Sequence, residues 1–87
     1  MNYFVYLLIS INNGKRITYA GYTNNLKKRL KLHNASKGAK FTRGRKWQII
    51  YKKKYTNKSN AMKNEYKLKN DTKFRNKIKI NFLKKNK

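Results

Sequence analysis

The chain has 87 residues, and its 25 lysines and arginines face only two acidic residues, which gives a formal net charge of +23 at pH 7. This length fits one domain with a modest core, and no apolar run approaches the roughly 18 residues of a membrane span. Cysteine is absent, which excludes disulfides and thiolate metal sites, so any metal needs oxygen or imidazole ligands. We therefore expect a single soluble, cytoplasmic domain without a membrane segment.

The positive charge indicates a polyanionic partner, because release of counterions gives affinity that does not depend on sequence. Nucleic acid is favoured over a membrane, since the most basic stretch, residues 51–55, has the composition of a strand end rather than of an amphipathic helix. We predict DNA as the partner, although the residues do not separate DNA from RNA. The 20 lysines and 13 asparagines are also typical of an A+T-rich genome, so a ribosomal or nucleoid-type basic protein is an alternative.

The first two predicted elements are the strands of a β-hairpin. Residues 3–10 and 17–22 are rich in aromatic and β-branched side chains, which favour strands. Between them, Asn13 and Gly14 supply the positive φ angles that a tight hairpin turn requires.

A helix is predicted next, capped by Thr23 or Asn24 and ending near Asn34. Residues 35–45 follow, and their two glycines and four cations are typical of a loop. Two interpretations of this loop stay open: a surface that presents backbone N–H groups and charge to phosphate, and a plain connector. In the first interpretation the contacts to nucleic acid come from its cations, which are Lys37, Lys40, Arg43 and Arg45.

The rest of the chain predicts a third strand and two more helices. Residues 47–55 have strand composition, and a period of two places Trp47, Ile49 and Tyr51 on one face. Asn57 or Ser59 can cap a helix that ends near residue 69, and a basic amphipathic helix follows it. The order ββαβαα predicts an α+β fold, a small three-stranded antiparallel sheet flanked by helices. We expect residues 1–83 to form the domain and residues 84–87 a basic C-terminal tail.

Acidic residues are so scarce that each needs an explanation. Glu65 is surrounded at helical spacings by Ala61, Met62, Tyr66 and Leu68, which places Glu65 on the side of its helix that should face the core. A carboxylate there must be paired, hydrogen-bonded or bound to a metal. The ordinary alternative is a salt bridge to one of the lysines. Asp71 lies between two predicted helices, where it is expected to be an N-cap or turn residue without a catalytic role.

Two further pairs suggest chemistry on phosphate. Arg29 and His33 stand four residues apart on one helix face, and they combine a phosphate-binding guanidinium with a side chain that exchanges a proton near neutral pH. Tyr6 and Tyr19 lie on the two hairpin strands, where cross-strand pairing could bring their hydroxyls together. With a metal on Glu65, these groups could hydrolyse a phosphodiester. The ordinary alternatives are surface residues and tyrosines that pack a sheet.

The ordered set of these segments resembles the GIY-YIG nuclease family over about residues 3 to 80. The first signature looks like Phe4-Val5-Tyr6 followed by Tyr19-Ala20-Gly21, and residues 65–69 are similar to the family's metal-binding helix. Residues 33–47 look like the version found in short stand-alone bacterial members and in the catalytic subunit of structure-selective flap and junction endonucleases. Two features depart from the pattern: Phe4-Val5 replaces Gly-Ile, and only Asn76 is a candidate for the family's late asparagine.

The resemblance implies an endonuclease that depends on Mg²⁺ or Mn²⁺ and hydrolyses DNA at branched, nicked or damaged sites, as in DNA repair. By this similarity Glu65 would bind the metal, Arg29 would contact the scissile phosphate, and Tyr6 and Tyr19 would orient or deprotonate the attacking water. His33 would occupy the family's further basic or aromatic position.

The resemblance also gives Gly21 a place in the nucleic-acid-binding surface, because a glycine there would let helix and backbone approach closely. By comparison with larger members, we expect a chain of this length to lack their additional DNA-recognition domain. Two expectations follow: a partner protein that supplies target selection, and, as the alternative to an enzyme, a non-catalytic binding module on the same scaffold.

Overall fold

The structure, a computed structural model, describes residues 1–12 and 14–85. Over these residues its elements are, in chain order, β1 (Tyr3–Asn12), β2 (Lys15–Thr23), α1 (Leu26–Asn34), a 3-10 turn (Lys40–Thr42), β3 (Gln48–Tyr55), α2 (Lys58–Asn70) and α3 (Thr72–Lys85). The strands form one antiparallel sheet in the order β2-β1-β3. The predicted α+β class and the order ββαβαα are confirmed.

The hairpin is longer than predicted. Its two strands stay paired as far as Asn12 and Lys15. Gly14 has a φ of 79°, in the left-handed region that glycine adopts without steric cost. This agrees with the predicted tight turn, while Asn13 lies outside the described residues.

β1 is the central strand and is covered on both faces. Its residues from Val5 to Ser10 are each at most 2% exposed. A strand that is buried on both faces has a continuous apolar run rather than an alternation of apolar and polar residues, as the sequence of β1 shows. Alternate side chains of this one strand therefore belong to two separate cores.

The two cores lie on opposite faces of the sheet. On one face, Leu7 of β1 lies in a core that α2 completes with Ala61 and Leu68. On the other face, Tyr6 lies with Trp47 in a core that the leucines of α1 cover. The face that carries Tyr6 is thus the one that α1 can supply with functional side chains.

The prediction that Trp47, Ile49 and Tyr51 share one face of the sheet is wrong for Tyr51, which lies on the opposite face. The pairing of β3 with β1 slips by one residue at Ile50, so that Ile49 packs beside Trp47, whereas Ile50 and Tyr51 both pack in the α2 core. A bulge of this kind inserts one residue into one strand and reverses the alternation beyond it. Since all the residues involved are apolar or aromatic, their sequence gave no sign of the slip.

Asparagine and aspartate side chains cap the helices. Asn25, rather than the predicted Thr23 or Asn24, caps α1 by accepting the backbone N–H three residues on at 3.1 Å. Asn57 and Asp71 make the same contact at the starts of α2 and α3, at 3.2 and 3.0 Å. The predicted role of Asp71 as an N-cap is therefore confirmed.

α3 lies on the outside of the fold and continues through Lys85, past the predicted start of the basic tail. Residues 86 and 87 lie outside the described residues, and the division after residue 83 stays a prediction. Within the described ranges, none of the helices has both the length and the apolar character needed to cross a membrane.

Truncation of Leu7 tests the importance of the central strand. Leu7 is fully buried, so Leu7→Ala should lower the free energy of unfolding by about 2–5 kcal/mol, because it removes apolar contacts and leaves a cavity. Ile11 on the same strand is 51% exposed, and Ile11→Ala should cost less than about 0.5 kcal/mol. Urea unfolding measures both; equal losses would contradict the two-core arrangement.

Candidate active site

The Tyr6 phenol lies between His33 of α1 and Gly21 of β2. Its hydroxyl lies 3.0 Å from Nε2 of His33 on α1. Gly21 is the cross-strand partner of Tyr6, and a Cβ added at Gly21 would lie only 2.5 Å from the Tyr6 hydroxyl oxygen. The lack of a side chain at Gly21 therefore makes room for the phenol. Gly21 is buried. Its predicted place in the nucleic-acid-binding surface stays a prediction.

His33 is fully buried, and both of its ring nitrogens have hydrogen-bond partners. The Thr42 hydroxyl donates its proton to the carbonyl of Ala39 at 2.8 Å, so it must accept the 2.8 Å bond from Nδ1–H of His33. Nε2 is then unprotonated and accepts from the Tyr6 hydroxyl. These directions select one tautomer and form a hydrogen-bond relay from Tyr6 through His33 to Thr42.

The basic loop, residues 35–45, folds back onto His33. A Cβ added at Gly38 would lie 2.5 Å from Nδ1 of His33, so this glycine lets the loop backbone approach the imidazole. The Trp47 indole donates to the Thr42 carbonyl at 2.9 Å, and Ser36, with a φ of 60°, accepts from Gly44 at 2.9 Å. The loop is thus more than a plain connector, because it supplies Thr42 and encloses the imidazole.

Gly38 and Thr42 were not among the predicted site residues. Their contacts join residues that are distant in sequence, and small residues among cations are typical of any loop. One signal in the sequence pointed to them: small side chains occupy these loop positions, although a solvent-exposed loop would accept larger polar ones.

Arg29 lies one helical turn before His33 and is partly buried. Its Nε is buried and has no hydrogen-bond partner among the described residues. A buried donor without a partner is costly, and a phosphate oxygen would satisfy it with a charge-assisted hydrogen bond. Arg29 therefore fits an anion-binding role.

The surroundings shift the pKa values of Tyr6 and His33 in opposite directions. Burial raises the pKa of Tyr6 above its ordinary value of 10.0, and the nearby Arg29 guanidinium opposes this rise. Burial lowers the pKa of His33 below its ordinary value of 6.5, and the charge of Arg29 lowers it further. At neutral pH Tyr6 is a phenol that can donate, and His33 is a neutral imidazole that can accept.

Tyr19 is a diagonal neighbour of Tyr6 and not its direct partner. In the hairpin Tyr19 pairs with Leu8, two residues away from the position opposite Tyr6. Its ring stands 5.3 Å from the His33 ring, with an edge-on orientation, and the Tyr6 ring stands 6.0 Å from His33. The two tyrosines therefore flank the imidazole.

Glu65 lies between the buried Ala61 and Leu68 along α2, and its side chain is 18% exposed. Met62 and Tyr66, which were expected on the same side of the helix, are instead 48% and 67% exposed. Lys69 on the next turn is its ion-pair partner, at 3.8 Å, which is the salt bridge given as the ordinary alternative. The Lys69 side chain is 56% exposed, and such pairs contribute only about 0.3–0.5 kcal/mol. The negative charge of Glu65 also raises the pKa of Tyr6, so the carboxylate acts on the same hydroxyl as Arg29.

The chemistry of the donor set limits which metal ion could bind. The part of the chain that the structure describes contains no group of three or more His, Cys, Asp or Glu side chains that could hold a metal. A single carboxylate nevertheless fits Mg²⁺, which keeps several waters and takes phosphate oxygens as further ligands. Glu65 therefore fits a cation that is completed by water and substrate rather than by protein.

The other predicted residues make no hydrogen bond to Tyr6 or His33 among the contacts described above. Lys37, Lys40 and Arg43 are exposed on the basic loop, and Arg45 is partly buried. Asn76, the candidate for the family's late asparagine, is exposed on α3. Their predicted roles stay predictions.

A small α+β domain with tyrosine, histidine and arginine gathered on one face of its sheet matches the class expected from the sequence. The family model for the GIY-YIG catalytic domain matches residues 2–79. The chain therefore belongs to the GIY-YIG family.

The relatives are short bacterial proteins of this family. A UPF0213 protein of Oceanobacillus iheyensis is 56% identical over 52 residues, which cover 59% of this chain and 60% of the relative. A UPF0213 protein of Lactiplantibacillus plantarum is 42% identical over 73 residues, which cover 80% and 69%. The solution NMR structure of a UPF0213 protein of Bacillus halodurans aligns with a TM-score of 0.49 and 31% identity over 94% of this chain and 85% of that one. The predicted resemblance is confirmed, and the chain spans 60% of the length of the Oceanobacillus relative.

Substitution of Thr42 tests the direction of the relay. In Thr42→Val the Nδ1–H of His33 loses its acceptor, so the Nδ1–H tautomer should no longer dominate and stability should fall by about 1–3 kcal/mol. Nitrogen-15 NMR of the imidazole reports the tautomer directly, and His33 is the only histidine. Thr42→Ser keeps the hydroxyl and should keep the tautomer. An unchanged tautomer in Thr42→Val would contradict the relay.

The lowered pKa of His33 predicts how stability changes with pH. The unfolded chain binds a proton near pH 6.5, whereas the folded protein binds it only at lower pH. Stability should therefore be complete above about pH 6.5 and fall as the pH drops toward the folded-state pKa. Thermal unfolding measures this, and His33→Gln should remove the dependence in this range. A wild-type protein that gains stability on acidification would rule out the lowered pKa.

Proposed function

We propose that this domain is a metal-dependent endonuclease that hydrolyses phosphodiester bonds in DNA. The observation that carries the proposal is the relay beside Arg29, because a buried proton acceptor lies near a guanidinium whose Nε has no hydrogen-bond partner within residues 1–12 and 14–85. Membership of the GIY-YIG family and the net charge of +23 support the same conclusion.

Binding of the phosphate is the first step. Tyr6 is only 1% exposed, so solvent does not reach its hydroxyl in the free protein. The Arg29 guanidinium is close enough to the Tyr6 hydroxyl to oppose the rise in its pKa. A phosphate that pairs with Arg29 would therefore be held beside this hydroxyl.

Proton transfer through the relay is the second step. As water attacks phosphorus, its proton passes to the Tyr6 oxygen while the Tyr6 proton passes to Nε2 of His33. The new bond is between phosphorus and the water oxygen, the bond to the leaving oxygen breaks, and that oxygen takes a proton from solvent. Tyr6 does not need to be a phenolate beforehand, which matters because burial raises its pKa. Thr42 continues to accept Nδ1–H and orients the resulting imidazolium.

Glu65 is the residue that would hold Mg²⁺ or Mn²⁺. When bound, the cation polarises the phosphate and stabilises the charge that develops on it. The ion pair with Lys69 is long at 3.8 Å, so the carboxylate can exchange that partner for a stronger one.

The choice of target is a separate part of the proposal. We assign branched, nicked or damaged DNA, as in repair, and a partner protein that directs the domain to such sites. The competing function is a binding module without catalysis. A ribosomal or nucleoid-type protein would need no special geometry, so the convergence of Tyr6, Tyr19, His33 and Arg29 argues against it.

Cleavage assays test the mechanism. Each variant of a proposed catalytic residue is compared with a control variant that makes the same chemical change elsewhere in the chain. Glu65→Gln and Tyr6→Phe should each slow cleavage of flap, nicked or four-way DNA by roughly 100-fold in Mg²⁺ or Mn²⁺. Asp71→Asn removes the same single charge yet keeps an N-cap residue, and Tyr3→Phe removes a hydroxyl on the same strand. Both controls should cleave like the wild type.

EDTA should stop cleavage of every substrate, including plain duplex. Cleavage that survives EDTA, or that is undiminished in Glu65→Gln, would refute the metal-dependent mechanism. Tight, salt-dependent binding of DNA without any cleavage would instead establish the binding module.

A further inference from the structure

The basic loop holds one large aromatic side chain out in solvent. Phe41, at the centre of the 3-10 turn, is 59% exposed. Its ring stacks on Tyr19, with centroids 6.0 Å apart and planes at 22°, and it stands 6.5 Å from the Trp47 ring. Phe41 is therefore supported on its inner side while much of its surface stays open.

The backbone that carries Phe41 is held in place. Thr42 donates its backbone N–H to the Ala39 carbonyl at 3.0 Å and its hydroxyl to the same carbonyl at 2.8 Å. Its own carbonyl accepts from the Trp47 indole at 2.9 Å. A ring presented by such a turn loses little conformational freedom when a ligand binds it.

Phe41 is also connected to the candidate active site. Tyr19, on which it stacks, contacts the ring of His33 at 5.3 Å, and His33 bonds to Tyr6. A ligand that covers Phe41 is thus connected to the Tyr6 hydroxyl, proposed to activate water, through three rings in contact, those of Phe41, Tyr19 and His33.

The charge around Phe41 indicates which kind of ligand would cover it. Lys40 precedes it, and Arg43 and Lys37 lie exposed on the same loop. An exposed ring among cations matches a nucleotide, whose base stacks on the ring while its phosphates pair with the cations. Bases inside a duplex are already stacked on each other, so only an unpaired or extruded base can bind in this way.

We propose that Phe41 is a stacking platform for an unpaired nucleobase close to the scissile phosphate. The inference rests on the proposed function, because it takes nucleic acid as the substrate, and it adds a substrate class. The domain would prefer DNA that offers a single-stranded end, a flap or an extruded base over continuous duplex.

Binding to a matched pair of oligonucleotides tests the platform. One is a labelled single-stranded DNA, and the other has the same length and phosphates but abasic sugars. Fluorescence anisotropy in EDTA, at one fixed salt concentration, prevents cleavage and keeps the electrostatic contribution constant. The wild type should bind the oligonucleotide with bases roughly tenfold more tightly than the abasic one.

Phe41→Leu should lose most of this preference and bind the abasic strand as the wild type does, whereas Phe41→Tyr should keep the preference. Tyr66→Leu removes an aromatic ring on α2 that is 67% exposed and should behave as the wild type. The proposal is overturned if the wild type does not distinguish the two strands, if Phe41→Leu weakens both equally, or if Tyr66→Leu has the same effect as Phe41→Leu.

The outcome is distinguishable from that of the cleavage assays. Base-dependent binding at Phe41 without any cleavage would leave the platform intact and refute only the hydrolytic function. Cleavage of DNA by a protein whose Phe41→Leu variant binds both strands unchanged would refute only the platform.

Discussion

The complete burial of the His33 imidazole is the constraint on which the site depends. A buried ring with two polar nitrogens needs a partner on each side, and here those partners come from β1 and from the basic loop. Gly21 and Gly38 leave space for the phenol and the imidazole respectively, since a Cβ at either position would collide with its neighbour. The long loop is therefore ordered by the same contacts that select the histidine tautomer. Packing, hydrogen bonding and the proposed chemistry have a common origin in this one side chain.

Electrostatics reinforces that arrangement through a few charges rather than through the large excess of lysine. Arg29 favours loss of the proton from Tyr6, whereas Glu65 and burial oppose it. Burial lowers the pKa of His33 and the charge of Arg29 lowers it further, which favours the neutral imidazole that can accept a proton. The exposed lysines, by contrast, provide attraction to a polyanion without orienting any atom. The abundant positive charge thus favours a polyanionic partner, whereas Arg29 and Glu65 act on the protonation of the buried Tyr6 and His33.

Patterns among residues close in sequence predicted most of the fold. They could not predict which residues distant in sequence contact each other. The hairpin, the caps at Asn57 and Asp71 and the inward side of Glu65 depend on residues a few positions apart. Thr42 could not be recognised, because its hydroxyl matters only after the loop has folded onto α1. The slip at Ile50 was hidden for another reason: uniformly apolar neighbours give no alternation to interrupt. The diagonal placement of Tyr6 and Tyr19 was equally hidden, because composition does not reveal the register that places Gly21 opposite Tyr6.

The central position of β1 has a consequence for folding errors. Because successive side chains of a strand point to opposite faces, a slip of β1 by a single residue would exchange the two cores. Leu7 or Val5 would then face His33 and leave its Nε2 without a donor, while the phenol of Tyr6 would enter the apolar core beneath α2. Such a misaligned state has both an unsatisfied imidazole and a buried hydroxyl without a partner, so it is penalised twice. The polar groups of the site thus also stabilise the native register of β1 relative to a register shifted by one residue.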